Sequence, residues 1–213
     1  MKKKVSISSR KDLCTRFTLI TDFKPCYFGG TEGTPMGQIG ALGDSSLTVS
    51  AYAGTERIGT LRARVLQVPM TAAGLRESDS SAKVFPAKQF AIDWLRSQMA
   101  MERNRCEMRP TDSLNIVLPI STHIYIEELF VNREYRREGI ATAMIDVANE
   151  AIQPTYMCAF SHAMDNALGA SLSESRSRAF FKTLGFVYVC ETHVDLPWNV
   201  KTFWAKRTSP VIQ

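Results

Sequence analysis

The chain has 213 residues, 45% of them apolar and 22% charged, with 26 Lys and Arg against 21 Asp and Glu for a net charge of +5. This is a globular composition, long enough to bury a core without a disulfide or metal staple. No run approaches the roughly 18 consecutive apolar residues of a membrane-spanning helix, and the basic start Met1-Lys2-Lys3-Lys4 leads into Val5-Ser6-Ile7-Ser8-Ser9-Arg10 rather than an apolar segment, which argues against a membrane protein and a cleaved signal peptide.

Five scattered cysteines (Cys14, Cys26, Cys106, Cys158, Cys190) fit reduced thiols in a cytoplasmic setting. The arginine pairs at 62 and 64, 103 and 105, 136 and 137, and 176 and 178 are dispersed without interleaved aromatics. Nucleic acid therefore stays open as a partner but is not singled out.

In chain order, residues 14–24 alternate around Phe17, Leu19 and Ile20 and predict a first strand. Residues 26–46 carry Gly29, Gly30, Gly33, Gly37, Gly40 and Gly43 and predict a long loop, whose spacing is neither that of a dinucleotide fingerprint nor that of a P-loop. Leu47–Ala53 and Ile58–Val68 predict a hairpin turning through Gly54-Thr55-Glu56-Arg57. A connection over 69–84 follows, and Pro86 then opens a helix reaching Met101, with Phe90, Ala91, Trp94, Leu95 and Met99 at three- and four-residue spacing.

Beyond an apolar run at Leu114–Ile120, His123–Val131 predicts the most regular strand. Glu138–Ile152 then predicts a helix with Ile140, Ala143, Met144, Val147 and Ala151 on one face. Tyr156–Ser161, Phe186–Val194 and Thr202–Lys206 predict strands, and Ser173–Leu184 a helix. The resulting fold class is α/β (α+β mixed): one domain over 1–213 with a central mixed sheet flanked by helices. Residues 69–122 form a large insertion, a loop plus an amphipathic helix, before the strand 123–131.

The informative segment is Glu128-Leu-Phe-Val-Asn-Arg-Glu-Tyr-Arg136-Arg137-Glu138-Gly139-Ile140-Ala141-Thr142, a strand, a basic turn and a helix start. A helix N-terminus offers unpaired N–H groups and the positive end of the macrodipole, so a pyrophosphate can rest there. Gly139 has no Cβ, Ala141 is small, and Arg136 and Arg137 bring guanidinium groups able to contact phosphate oxygens.

Arg136-Arg-Glu-Gly139-Ile-Ala141 resembles motif A (Gln/Arg-x-x-Gly-x-Gly/Ala) of the GNAT superfamily, the GCN5-related N-acetyltransferases. Ser177-Arg-Ala-Phe-Phe181-Lys-Thr-Leu-Gly185-Phe186 resembles its motif B, a helix ending in Gly-Phe before a strand. The resemblance covers about residues 47–68 and 123–206. It implies acetyl-CoA as co-substrate, held across an opening between the strands 123–131 and 156–161. The pyrophosphate would rest on the backbone of Arg137, Glu138, Gly139, Ile140, Ala141 and Thr142, and the pantetheine arm on backbone near Leu129, Phe130 and Val131. It also implies direct attack of an amine on the thioester, without an acyl-enzyme at Cys158. The family often has a Tyr, placed to protonate the leaving thiolate, where this chain has Phe181; Tyr188 or a water are the alternatives.

Glu127 and Glu128 are the candidate general bases. Strand alternation puts them on opposite faces, and one of them would serve if burial raised its pKa; otherwise both are surface groups. His162 is a second candidate. Cys158-x3-His162 and Cys190-x2-His193 have zinc-like spacing but fall in or beside predicted strands, so no metal is expected. Trp94, Trp198 and Trp204 line either an acceptor pocket or the core, and the insertion helix either covers the cleft or packs in a homodimer. The sequence thus predicts an acyl-CoA-dependent N-acetyltransferase acting on an unidentified primary amine. A GNAT-like nucleic-acid-modifying enzyme and a non-catalytic CoA-binding regulator are the alternatives.

Overall fold

The computed structural model describes residues 2–6, 17–24, 45–69, 86–105, 120–162, 178–195 and 200–208. Most of the glycine-rich stretch, the connection over 70–84, Leu114–Pro119, the start of the helix expected from Ser173, Cys14, Cys26, Cys106 and Trp198 lie outside them. The chain divides into two compact units, Met1–Leu66 with Ile124–Pro154 and Gln67–His123 with Thr155–Gln213. Among the described residues no helix is long and apolar enough to cross a membrane.

The first unit contains β1 (Lys2–Ser6), β2 (Phe17–Lys24), β3 (Ser45–Ala53), β4 (Glu56–Pro69) as far as Leu66, and β5 (Ile120–Val131) from Ile124 onward. These strands are adjacent in that order, and the first four form antiparallel pairs. The sequence reading did not anticipate β1, which is three lysines and two further residues, too short for a periodicity to register. Ala53 pairs with Glu56, so the β3–β4 turn is only Gly54-Thr55. Gly54 has φ +60°, the conformation a type II′ turn needs at its first central position.

The helix α2 (Ile140–Ile152) packs against β2 and β3. Its buried Ile140, Met144, Val147 and Ala148 recur at helical spacing and meet Leu19, Leu47, Val49 and Ala51, all fully buried on the strands. Each large side chain so placed contributes about 1.5–3 kcal/mol by leaving water. The approach is tightest at Gly59 of β4. A Cβ there would lie 3.1 Å from the Phe130 carbonyl oxygen, 3.3 Å from Met144 Cε and 3.5 Å from Ile140 Cγ2. At its far end α2 stops at Gln153 (φ +50°), whose N–H donates to the Asn149 carbonyl (2.8 Å), with Pro154 next.

The second unit holds α1 (Ala87–Arg105), the first residues of β5, β6 (Tyr156–His162), β7 (Val187–His193), β8 (Val200–Arg207) and helical residues 178–183. β6 and β7 each pair antiparallel with β8. Side-chain alternation gives this sheet two covered faces. On one, Phe90 and Trp94 of α1 meet Phe160, Tyr156 and Phe203, with ring centroids 5.2–5.8 Å apart. On the other, Trp204 stacks on Phe181 at 5.2 Å and 12° while its Nε1 donates to Ser161 Oγ (3.0 Å).

The insertion helix therefore buries its apolar face (Ala91, Leu95, Met99) within its own unit, and it runs one turn beyond Met101. Its N-terminus is capped from far along the chain: the Ala87 N–H donates to Asp195 Oδ1 (3.1 Å), and Asp195 Oδ2 also takes Lys201 Nζ (2.9 Å). Trp204 is thus a core residue of this unit, and Trp94 packs half-buried against the same aromatic cluster.

Candidate functional site

The motif A segment lies entirely in the first unit. β5 ends at Val131, the Asn132 N–H donates back to the Ile58 carbonyl (2.8 Å), and a single 3-10 turn occupies Arg133–Tyr135. The backbone then takes left-handed values at Arg137 (φ +72°) and Gly139 (φ +77°) before α2 begins. The first bond of the helical ladder runs from the Ala143 N–H to the Gly139 carbonyl (2.9 Å), so the amides of Ile140, Ala141 and Thr142 precede the ladder. Among the described residues no side chain caps this end, and no acidic residue sits in its first turn.

Where a Gly139 Cβ would stand, no atom of the described residues lies within 4 Å. A helix start of this kind, with uncapped amides, positive macrodipole and open space at its glycine, fits a phosphate group. Glu138 and Thr142 are exposed beside it.

At the rim, Arg136 and Arg137 are both exposed. The Arg136 Nε donates to the Val131 carbonyl (3.0 Å), so the side chain folds back on the end of β5. Tyr135 is in an acidic setting: Glu56, the largest influence, and Glu134 and Glu138 push its phenol above the usual range. Of the residues expected to meet the pantetheine arm, Leu129 and Val131 are half-buried and Phe130 is exposed.

Glu127 and Glu128 lie near the end of β5. Ile124, Tyr125 and Ile126 are all buried, and the two glutamates after them are both exposed. Both reach arginines two residues apart on β4: Arg64 Nε lies 2.8 Å from Glu127 Oε1, and Arg62 Nη1 lies 3.4 Å from Glu128 Oε2. The side chains are 33% and 50% exposed, and each is held by a guanidinium.

Phe181 lies in the second unit, 8% exposed, between Trp204 and Phe186. Tyr188 touches the same Trp204 edge-on at 6.0 Å, is 45% exposed, and carries the Arg178 guanidinium 5.7 Å above its ring. Cys158 is fully buried, which pushes its thiol far up and leaves it a packing residue. The side chain of His162 lies outside the described residues. Among the described residues no three His, Cys, Asp or Glu gather as metal ligands.

The histidine that sequence reasoning passed over is His123. It is fully buried, and Ser121 Oγ is 2.7 Å from its Nε2, while Nδ1 has no hydrogen-bond partner among the described residues. Burial lowers its pKa to about 4. Its ring lies 5.9 Å from that of Tyr156. The Tyr156 hydroxyl donates to Glu102 Oε1 (2.6 Å), which also takes Arg207 Nη1 (3.0 Å). Burial and that hydrogen bond push the phenol up to about 12. One sequence signal pointed here: a histidine and an aromatic each opening an apolar strand.

Residues 105–186 match the family model of the acetyltransferase (GNAT) family. No curated protein matches the chain in sequence. Among solved structures, the chain is similar to Arabidopsis thaliana NAA60 in complex with a bisubstrate analogue, at 17% identity over 78% of each chain with a TM-score of 0.43. It is also similar to the ribosomal-protein-S18-alanine N-acetyltransferase of Escherichia coli, at 10% identity over 78% of this chain and 70% of that one, with a TM-score of 0.42.

Proposed function

From the match of residues 105–186 to the family model of the acetyltransferase (GNAT) family, we propose that this chain is an acyl-CoA-dependent N-acyltransferase that moves an acetyl group from acetyl-CoA to a primary amine. The observation that carries this reading is the start of α2. Three amides there precede the helical ladder, and among the described residues no atom lies within 4 Å of where a Gly139 Cβ would stand and no side chain caps the helix. The amides of Ile140, Ala141 and Thr142 would hold the pyrophosphate, and the backbone of Leu129–Val131 would carry the pantetheine arm.

In the reaction the amine nitrogen attacks the thioester carbonyl carbon, the C–S bond breaks, and the nitrogen gives up a proton while the thiolate gains one. No cysteine adduct is needed, and Cys158, buried with its thiol pushed up, supports that. The proton acceptor proposed is Glu127 or Glu128, and either one must first part from its arginine on β4. A protein surface amine and a small-molecule amine both remain within this acceptor class.

One observation favours a second reading, a CoA-binding regulator without turnover: the phenyl ring of Phe181, buried against Trp204, offers no proton to a leaving thiolate. An assay of acetyl-CoA with a panel of primary amines, following free thiol and product mass, separates the two. Amine-dependent thiol release with a product heavier by one acetyl group supports the transferase. Acetyl-CoA binding with no release across the panel supports the regulator. Retention on DNA or RNA that weakens with salt would redirect the amine search to nucleic-acid acceptors.

A further inference from the structure

We infer that Arg136 serves the donor site as a positioning residue, acting through its bond to the Val131 carbonyl, and not as a ligand of the phosphates. The inference rests on reading residues 137–142 as the phosphate cradle. It concerns what holds that cradle in shape.

The path from β5 to α2 contains two left-handed residues, and only one of them is glycine. Arg137 at φ +72° carries a Cβ, a conformation that costs an ordinary residue about 1–2 kcal/mol and persists only where its surroundings fix it. The backbone bonds before it are local: Tyr135 N–H to the Asn132 carbonyl (3.0 Å) and Arg136 N–H to the Arg133 carbonyl at a longer 3.3 Å. Neither ties the residue next to Arg137 back to the sheet. The Arg136 side chain does, because its Nε reaches across the turn to the carbonyl of the last β5 residue at 3.0 Å. Released from that carbonyl, Arg136 and the strained residue after it lose their anchor, and the amides from Arg137 onward lose their common aim.

The bond requires an N–H donor at the end of a side chain of suitable length. It does not require a charge, since a carbonyl accepts from a neutral amide as well as from a guanidinium. A phosphate contact behaves oppositely, because the guanidinium's charge and fork supply most of its strength. The two roles therefore part company when Arg136 becomes glutamine.

The test compares Arg136→Gln and Arg136→Leu with the unaltered chain, by amide hydrogen exchange of residues 132–142 without ligand and by acetyl-CoA titration at low and high salt. The expected result is near-normal exchange and acetyl-CoA affinity within about threefold for the glutamine variant, with the salt dependence of the unaltered chain. The leucine variant should exchange faster by about tenfold in this segment and bind about tenfold more weakly, the size of one lost hydrogen bond. The inference is overturned if both variants exchange normally, or if both lose affinity equally and with a flatter salt dependence. Failure of the unaltered chain to bind acetyl-CoA would strike the donor-site reading instead, and the exchange data would still decide the role of Arg136.

Discussion

The burial of His123 makes a quantitative demand on stability. Its imidazole is fully enclosed, its Nδ1 has no partner among the described residues to receive a proton's charge, and its pKa is lowered from 6.5 to about 4. The unfolded chain binds a proton here near pH 6.5, whereas the folded chain does so only near pH 4. Over that interval the unfolded state holds more protons, and stability falls as pH falls. At about 1.4 kcal/mol per pH unit, the loss attributable to this one residue is about 3 kcal/mol by pH 4. Carboxylates titrate in the same range, so the measurement is a difference. Urea unfolding of the unaltered chain and of His123→Gln is followed from pH 7.5 to 4. The variant is less stable at neutral pH, but the gap narrows by about 3 kcal/mol as the pH drops. A gap that stays constant over that range would show that His123 is not a buried neutral imidazole and would refute the reasoning.

Gly59→Ala sets a Cβ 3.1 Å from a backbone oxygen and 3.3 Å from Met144 Cε, and should destabilise the chain by about 1–3 kcal/mol in thermal unfolding; an unchanged Tm contradicts the close approach of α2 and β5 to β4. Tyr156→Phe removes a hydrogen bond to a carboxylate and should cost about 1.5–3 kcal/mol at neutral pH. Because the folded phenol is held up to about 12 while the unfolded one ionises near 10, the unaltered chain should also lose stability between pH 10 and 12, and the Phe variant should lack that loss. Glu127→Gln and Glu128→Gln, tested singly, should lower kcat at neutral pH for only one of the two; full activity in both removes the carboxylate base.

The strand, turn and helix of residues 123–152 were legible because their cues are local: an apolar strand, a glycine at the helix start, and apolar residues at helical spacing. The β3–β4 hairpin was legible too, although its turn is two residues rather than four, since pairing at Ala53 and Glu56 decides that and composition does not. What the sequence hid depends on contacts between distant residues. Strict alternation gave Glu127 and Glu128 a direction each but did not say that each would meet an arginine on β4. Arg136 read as a charge for phosphate, and its hydrogen bond to Val131 is a matter of side-chain direction that spacing does not encode. The insertion helix looked like a cover or an interface because its cap, Asp195, lies 108 residues away. His123 drew no attention because its position at the start of an apolar strand does not say that Ser121 and Tyr156 would lie beside its ring.

The account stands on a donor site at the start of α2, and calorimetric titration with acetyl-CoA and with free CoA tests it most directly. The unaltered chain should bind both with micromolar affinity, and Gly139→Glu, which fills and charges the space in front of the amides, should abolish binding while leaving the unfolding transition cooperative. No binding of either ligand to the unaltered chain, or equal binding by the Gly139→Glu variant, would contradict it.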